Sequence, residues 1–271
     1  MKNFKKIFVQ NKFIFLTFLV LLLILLSALF PDCKTDNTPS NNSGMGEPPP
    51  VSNMVTTDEP EPATNPPPII ENSLPEGFSY IDSSIIIELR YATSYNFTGA
   101  PVSGYEAQVG IMTDEGYAAL LEAERLAEKK GYRLKLYDAY RPVKAVESFV
   151  AWAGNDDESM KEIFYPNVSK SELVSKGYIS SKSGHSRGST VDVTLVDIDT
   201  LADVDMGSSF DFFDPISNFF SDAITSKQQA NRNALRDIME QCGFHYYKNE
   251  WWHYTLNDEP FPDTYFDFTV E

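Results

Sequence analysis

The sequence predicts an α+β fold. Two observations carry that expectation. Long helical patterns are interspersed with short strand patterns without regular βαβ alternation. Near the C-terminus, Phe244–Tyr247 and Trp251–Leu256 read as strands close enough to form a hairpin. The chain has 271 residues, enough for one domain with a sizeable core plus extensions. Its formal net charge of −17 argues against a nucleic-acid partner, because such binders carry basic faces.

The chain opens with Lys2, Lys5, Lys6 and Lys12, then an unbroken apolar run from Phe13 to Phe30. As a helix those residues span about 27 Å, just enough to cross the hydrocarbon core. A basic flank before an apolar run is the pattern of an export signal or membrane anchor. Residues 1–33 are therefore expected to be a signal or anchor, and the remainder extracytoplasmic, anchored or secreted. Cys33 invites a lipoprotein reading, but Phe30-Pro31-Asp32 lacks the small residues that should precede a lipidated cysteine. Cys242, at the end of a predicted helix, reads as a small buried hydrophobe. A Cys33–Cys242 disulfide is the alternative. Residues 34–74 are rich in Pro, Asn, Ser, Thr and Glu and read as a tether, since they offer too little apolar surface to offset ordering.

Residues 75–271 are the expected folded domain. Ile85–Tyr91 reads as a strand. Thr113 can cap a helix reaching Lys130, with Asp114 and Glu115 at its positive end and Gly131 as its stop. Tyr117, Leu120, Leu121 and Ala127 form its apolar face. Arg133–Asp138 alternates as a strand does. Tyr140-Arg141-Pro142 opens a second helix, with Pro142 in the first turn, burying Val146, Phe149 and Val150 and ending near Gly154. Residues 155–180 and 201–222 read as irregular. Thr190–Val196 is a strand. Ser226 begins a helix whose apolar side is Ala230, Ala234, Leu235, Ile238 and Met239, stopped by Gly243.

The chemistry concentrates in two places: Ser183-Gly184-His185 through Asp192, and Glu250-Trp251-Trp252-His253. A catalytic zinc takes three protein ligands and keeps one position for water. His185, Asp192 and His253 match that set, and such a zinc would lower the pKa of its water toward about 7. Glu250 remains as a candidate general base. A His and an Asp seven residues apart are by themselves a weak signal. Asp192 is more telling, because an aspartate between Val191 and Val193 needs a partner. A structural zinc would normally be closed by four ligands rich in cysteine, and none is nearby. His245 reads as structural, and Trp251 and Trp252 as core and wall residues. Arg141, at a helix start, points a guanidinium at a defined place.

The sequence resembles the zinc D-Ala-D-Ala dipeptidases of the VanX type over residues 79–269. The resemblance lies in Arg90-Tyr91-Ala92-Thr93 with Asn96-Phe97-Thr98-Gly99, and in Asp138-Ala139-Tyr140-Arg141-Pro142. It continues in Ser181–Gly188, Met206–Asp211 and Glu250–Tyr254. It implies a small α+β domain with an antiparallel sheet, shared with D,D-carboxypeptidases and hedgehog proteins. It also implies one zinc on His185, Asp192 and His253, with Glu250 as base and Arg141 stabilising the oxyanion. Ser183, Asp211 and Tyr91 match pocket positions, Asp211 facing the substrate ammonium. The expected substrate is D-Ala-D-Ala or a related wall peptide. A D,D-carboxypeptidase would use the same site. A non-catalytic zinc-bearing wall-binding module is the third reading, although it would need neither Glu250 nor Arg141.

Overall fold

The structure, a computed structural model, describes residues 74–271. Its central sheet has five strands: β2 (Ile86–Ile87), β4 (Tyr132–Asp138), β5 (Thr190–Asp197), β6 (Phe244–Tyr247) and β7 (Glu250–Leu256). Their order is β2-β4-β5-β7-β6, and every pairing is antiparallel except β2 with β4. A separate antiparallel pair joins β1 (Phe78–Tyr80) to β3 (Ile111–Thr113). The helices are α1 (Asp114–Lys129), α2 (Val143–Ala153), the short α3 (Lys161–Phe164) and α4 (Ser226–Gln241). The α+β expectation holds, and β6 and β7 are the expected hairpin.

Helix ends follow their caps. The Thr113 hydroxyl accepts from the Gly116 amide at 3.3 Å, and Gly131 leaves α1 at φ +84°. At α4 the cap is Thr225, one residue before the expected start. Its hydroxyl accepts from the Gln228 amide at 3.2 Å, and the Gln228 side chain accepts from the Thr225 amide at 2.8 Å. This reciprocal box satisfies two otherwise orphaned donors. Thr225→Ala is expected to lower stability by about 1 kcal/mol. The check is a lower denaturant midpoint with an unchanged slope.

Several expectations are corrected. Ile85–Tyr91 contributes only the two residues of β2, because the backbone leaves the sheet at Leu89 and turns through a 3₁₀ segment, Arg90–Ala92. The Arg90 carbonyl is taken by the Thr93 hydroxyl and the Asn96 amide at 2.9 and 3.3 Å, and local side-chain bonds of this kind compete with strand pairing. Pro142 is the N-cap of α2 rather than its first turn. Val150 faces outward, since the buried stripe of α2 runs through Ala145, Val146, Phe149, Trp152 and Ala153. On α4, Ala230 is exposed, and the stripe instead includes the polar Asn231 and Arg232. The stretches at 155–180 and 201–222 are irregular as expected, broken by α3 and short 3₁₀ turns at Lys170–Glu172 and Pro215–Ser217.

The expectation of a membrane-anchored or exported chain is also corrected. Among the described residues no helix is long and apolar enough to cross a membrane. The two longest, α1 and α4, have 16 residues each and carry charged side chains on their exposed faces. The run Phe13–Phe30, the tether at 34–74 and Cys33 lie outside the described residues. Cys242 is half-buried at the C-cap of α4.

Strand alternation sorts the sheet into two faces. Leu134, Leu136, Val193 and Leu195 are fully buried in the core, and α1 packs against β4 on that side. The opposite face carries Tyr137 and Asp192 and holds the polar site.

Candidate active site

Asp192 lies directly opposite His253 in the β5–β7 pairing. Directly paired residues project to the same face, so the register alone brings these two side chains together. His185 arrives from the 3₁₀ turn Gly184–Arg187 that leads into β5. Ser183 caps that turn, its hydroxyl accepting from the His185 amide at 3.3 Å. Gly188 closes it at φ +84°, and a Cβ there would collide with the Phe78 ring, so glycine is required on both counts.

The result is a compact cluster. His185 Nε2 lies 3.2 Å from Asp192 Oδ2 and 3.3 Å from His253 Nδ1, and His253 Nδ1 lies 3.1 Å from Asp192 Oδ1. One ligand atom from each of the three falls within 4.8 Å of the others. The donor set fits a metal ion. His185 Nδ1 is 2.7 Å from the Ala139 carbonyl, which can only accept, so the proton sits on Nδ1 and the Nε2 lone pair faces the cluster. Burial pushes the His185 pKa down, which favours the neutral, ligating form. Burial also opposes charge on His253, but the Asp192 carboxylate outweighs it and raises that pKa. Asp192 is held well below the ordinary carboxylate range, its burial overcome by the two imidazoles.

Glu250 starts β7, three residues before His253, and its Oε2 stands 3.6 Å from His253 Nδ1. Its side chain is 26% exposed, and burial still pushes its pKa upward. Arg141 reaches in from the loop before α2. Its Nε donates to Asp138 at 2.8 Å and its Nη2 to Asp192 at 3.2 Å, with the guanidinium over the rings of Tyr91 and Phe149. Tyr91 donates to Asp211 at 2.8 Å. Asp211 is buried in a left-handed backbone conformation, φ +58°. Burial, reinforced by the Asp192 charge, raises its pKa well above the ordinary value. All eight residues singled out in the sequence therefore meet here. Seven of them, His185 excepted, line one cavity of about 280 Å³, joined by Trp252 and Tyr247 among others.

The sequence reading gave no separate role to Asp138. It is completely buried, accepts from Tyr105 at 2.7 Å as well as from Arg141, and stands 3.5 Å from His185 Nδ1. A β-bulge puts it there. Leu136 pairs with Val193, yet Asp138 pairs with Asp192, so one extra residue of β4 is inserted. Without the bulge Asp138 would share the face of Leu136 and point at the helices. The signal was present: an aspartate ending an apolar strand needs a partner, the same argument that marked Asp192.

Three clustered ligand atoms, a raised carboxylate and a fixed guanidinium around one small cavity form the candidate centre of a metallopeptidase. Residues 78–271 match peptidase family M15, described as D-Ala-D-Ala dipeptidase, and the chain belongs to that family. A D-alanyl-D-alanine dipeptidase from Enterococcus faecium is 47% identical over 199 residues, covering 72% of this chain and 98% of its own. One from Enterococcus faecalis is 48% identical over 198 residues, again covering 72% and 98%. A solved vancomycin-resistance D,D-pentapeptidase with Zn(II) covers 55% of this chain and 74% of its own, at TM-score 0.33 and 16% identity, too distant to inform the site.

Proposed function

We propose that residues 75–271 form a zinc-dependent dipeptidase domain that hydrolyses D-alanyl-D-alanine to two molecules of D-alanine in cell-wall peptide metabolism. The observation that carries this reading is the pairing of a small cavity with a buried carboxylate. About 280 Å³ lies just below the range for drug-sized ligands and suits a dipeptide. Asp211, buried and bonded to Tyr91, presents a carboxylate that a free ammonium satisfies and a neutral amide does not. Discrimination of that kind is large when a buried polar group would otherwise lose its partner.

His185, Asp192 and His253 would hold the zinc, which would supply Lewis-acid chemistry to the scissile carbonyl and to water. Glu250 accepts the water proton as the new C–O bond forms, then delivers it to the leaving amine as the C–N bond breaks. The raised pKa of Glu250 suits both halves of that transfer. Arg141, held by Asp138 and two aromatic rings, donates to the developing oxyanion without reorganising. Asp211 and Tyr91 receive the ammonium, and Ser183, at the mouth of the metal-ligand turn, serves the carboxylate end.

The test is D-alanine release from D-Ala-D-Ala, and from a pentapeptide ending in D-Ala-D-Ala, with zinc and after chelation. The expected result is zinc-dependent turnover of the dipeptide with the pentapeptide spared. Turnover of the pentapeptide alone would assign a D,D-carboxypeptidase. Turnover of neither, with zinc bound, would assign a wall-binding module.

A further inference from the structure

Arg232 on α4 is wholly buried, and no carboxylate lies within salt-bridge distance of it among the described residues. A buried guanidinium without a counter-ion is costly. Its donors go instead to three backbone carbonyls: Nε to Met206 at 2.7 Å, Nη1 to Asn218 at 2.6 Å and Nη2 to Ile216 at 3.0 Å. These three acceptors bracket one irregular segment, 206–218, and Asp211 lies between them. The neighbouring Asn231 secures the approach to the segment by donating to the Asp205 carbonyl at 2.7 Å.

The same knot reaches the strand of the base and the metal ligand. Ser208 and Ser217 bond each other at 3.0 Å, and Ser217 donates to the Phe212 carbonyl at 2.6 Å. The indole N–H of Trp251, next to Glu250, donates to Ser208 at 2.9 Å. Asp211 itself lies in neither strand nor helix, so no ladder holds it at φ +58°, a conformation that costs a non-glycine residue energy. The planar fork of arginine reaches three carbonyls at once, which the single ammonium of lysine does not.

We infer that Arg232 is a positioning residue for substrate selection, holding Asp211 where it receives the ammonium of a free dipeptide. Arg232 touches neither metal ligand nor base. Its loss acts on recognition of the amino end and leaves the bond-breaking machinery in place. The inference rests on the assignment of Asp211 to the ammonium.

The experiment compares kcat and KM for D-Ala-D-Ala and N-acetyl-D-Ala-D-Ala in the zinc-loaded full chain, Arg232→Lys and Asp211→Asn, with zinc content measured for each. Arg232→Lys is expected to retain full zinc, raise KM for the free dipeptide about tenfold and change kcat less than threefold. Its preference for the free over the acetylated dipeptide is expected to fall about tenfold, as in Asp211→Asn. If Arg232→Lys does not fold, Arg232→Gln takes its place with the same readout. An unchanged preference in the Arg232 variant, beside a lost preference in Asp211→Asn, overturns the inference and leaves the dipeptidase reading intact. A preference retained in Asp211→Asn removes the ammonium assignment, and the inference falls with it. Equal loss of kcat on both substrates marks Arg232 as merely structural and likewise overturns it.

Discussion

Glu250→Gln is expected to lower kcat for D-Ala-D-Ala by about 10²–10⁴-fold, the usual contribution of a positioned acid–base group. The amide preserves shape but accepts no proton from water and has none to give the leaving amine. Glu250 is not among the three clustered ligands, so the variant is expected to keep its metal. Metal content measured beside turnover separates loss of the base from loss of the site. The pH profile adds a second readout. Burial raises the Glu250 pKa, so its basic form is lost as pH falls through a value above the ordinary carboxylate range. Wild-type kcat/KM therefore declines on the acid side at a higher pH than a solvated glutamate would dictate, and Glu250→Gln loses that limb. A variant with wild-type kcat would remove Glu250 from the mechanism.

Arg141→Met carries the second large effect, and it registers in two measurements. Removing one oxyanion donor in a dry site costs about 10²–10³-fold in kcat. The same change leaves Asp138 buried without the guanidinium that now meets it at 2.8 Å. Burial already raises the Asp138 pKa against the opposing pull of Arg141. Breaking a buried pair from one side typically costs about 3–5 kcal/mol, because the remaining charge is uncompensated. The expected result is lost turnover together with a lower denaturant midpoint. Arg141→Met with Asp138→Asn should recover part of the stability and none of the activity. Recovery of both would mean that Arg141 serves folding alone.

Much of this arrangement was legible in the chain itself. Thr113, Gly131 and Gly243 are local signals with local causes, and each marks its helix boundary in the structure. Asp192 stood out because a carboxylate in an apolar strand demands a partner. What stayed hidden depends on segments far apart in sequence. The truncation of the Ile85–Tyr91 strand follows from Thr93 and Asn96 capturing one carbonyl, which strand propensity does not register. Asp138 carries the same signal of a carboxylate at an apolar strand, but its orientation is set by an irregularity in pairing with a strand 54 positions onward. Nothing in the helical pattern around Arg232 indicates a partner, and only the path of the 206–218 segment shows what it binds. The stripe on α4 was misjudged for the same reason, since hydrophobic periodicity has no term for an arginine that faces inward.

The bulge in β4 lets two consecutive side chains, Tyr137 and Asp138, serve the site face together, where a regular strand would offer only one. Leu134 or Leu136 can be exchanged for another apolar side chain of similar volume at modest cost, because the core tolerates such swaps. Deleting Tyr137, the one position between Leu136 and Asp138, is a different kind of change. With that residue gone, Asp138 would follow Leu136 directly and still fall opposite Asp192 by ordinary alternation, so Arg141 would keep its anchor while the ring stacked on Phe210 would be lost. Over this short stretch the added residue supplies an aromatic ring, and the aim of the carboxylate is set by its partner strand.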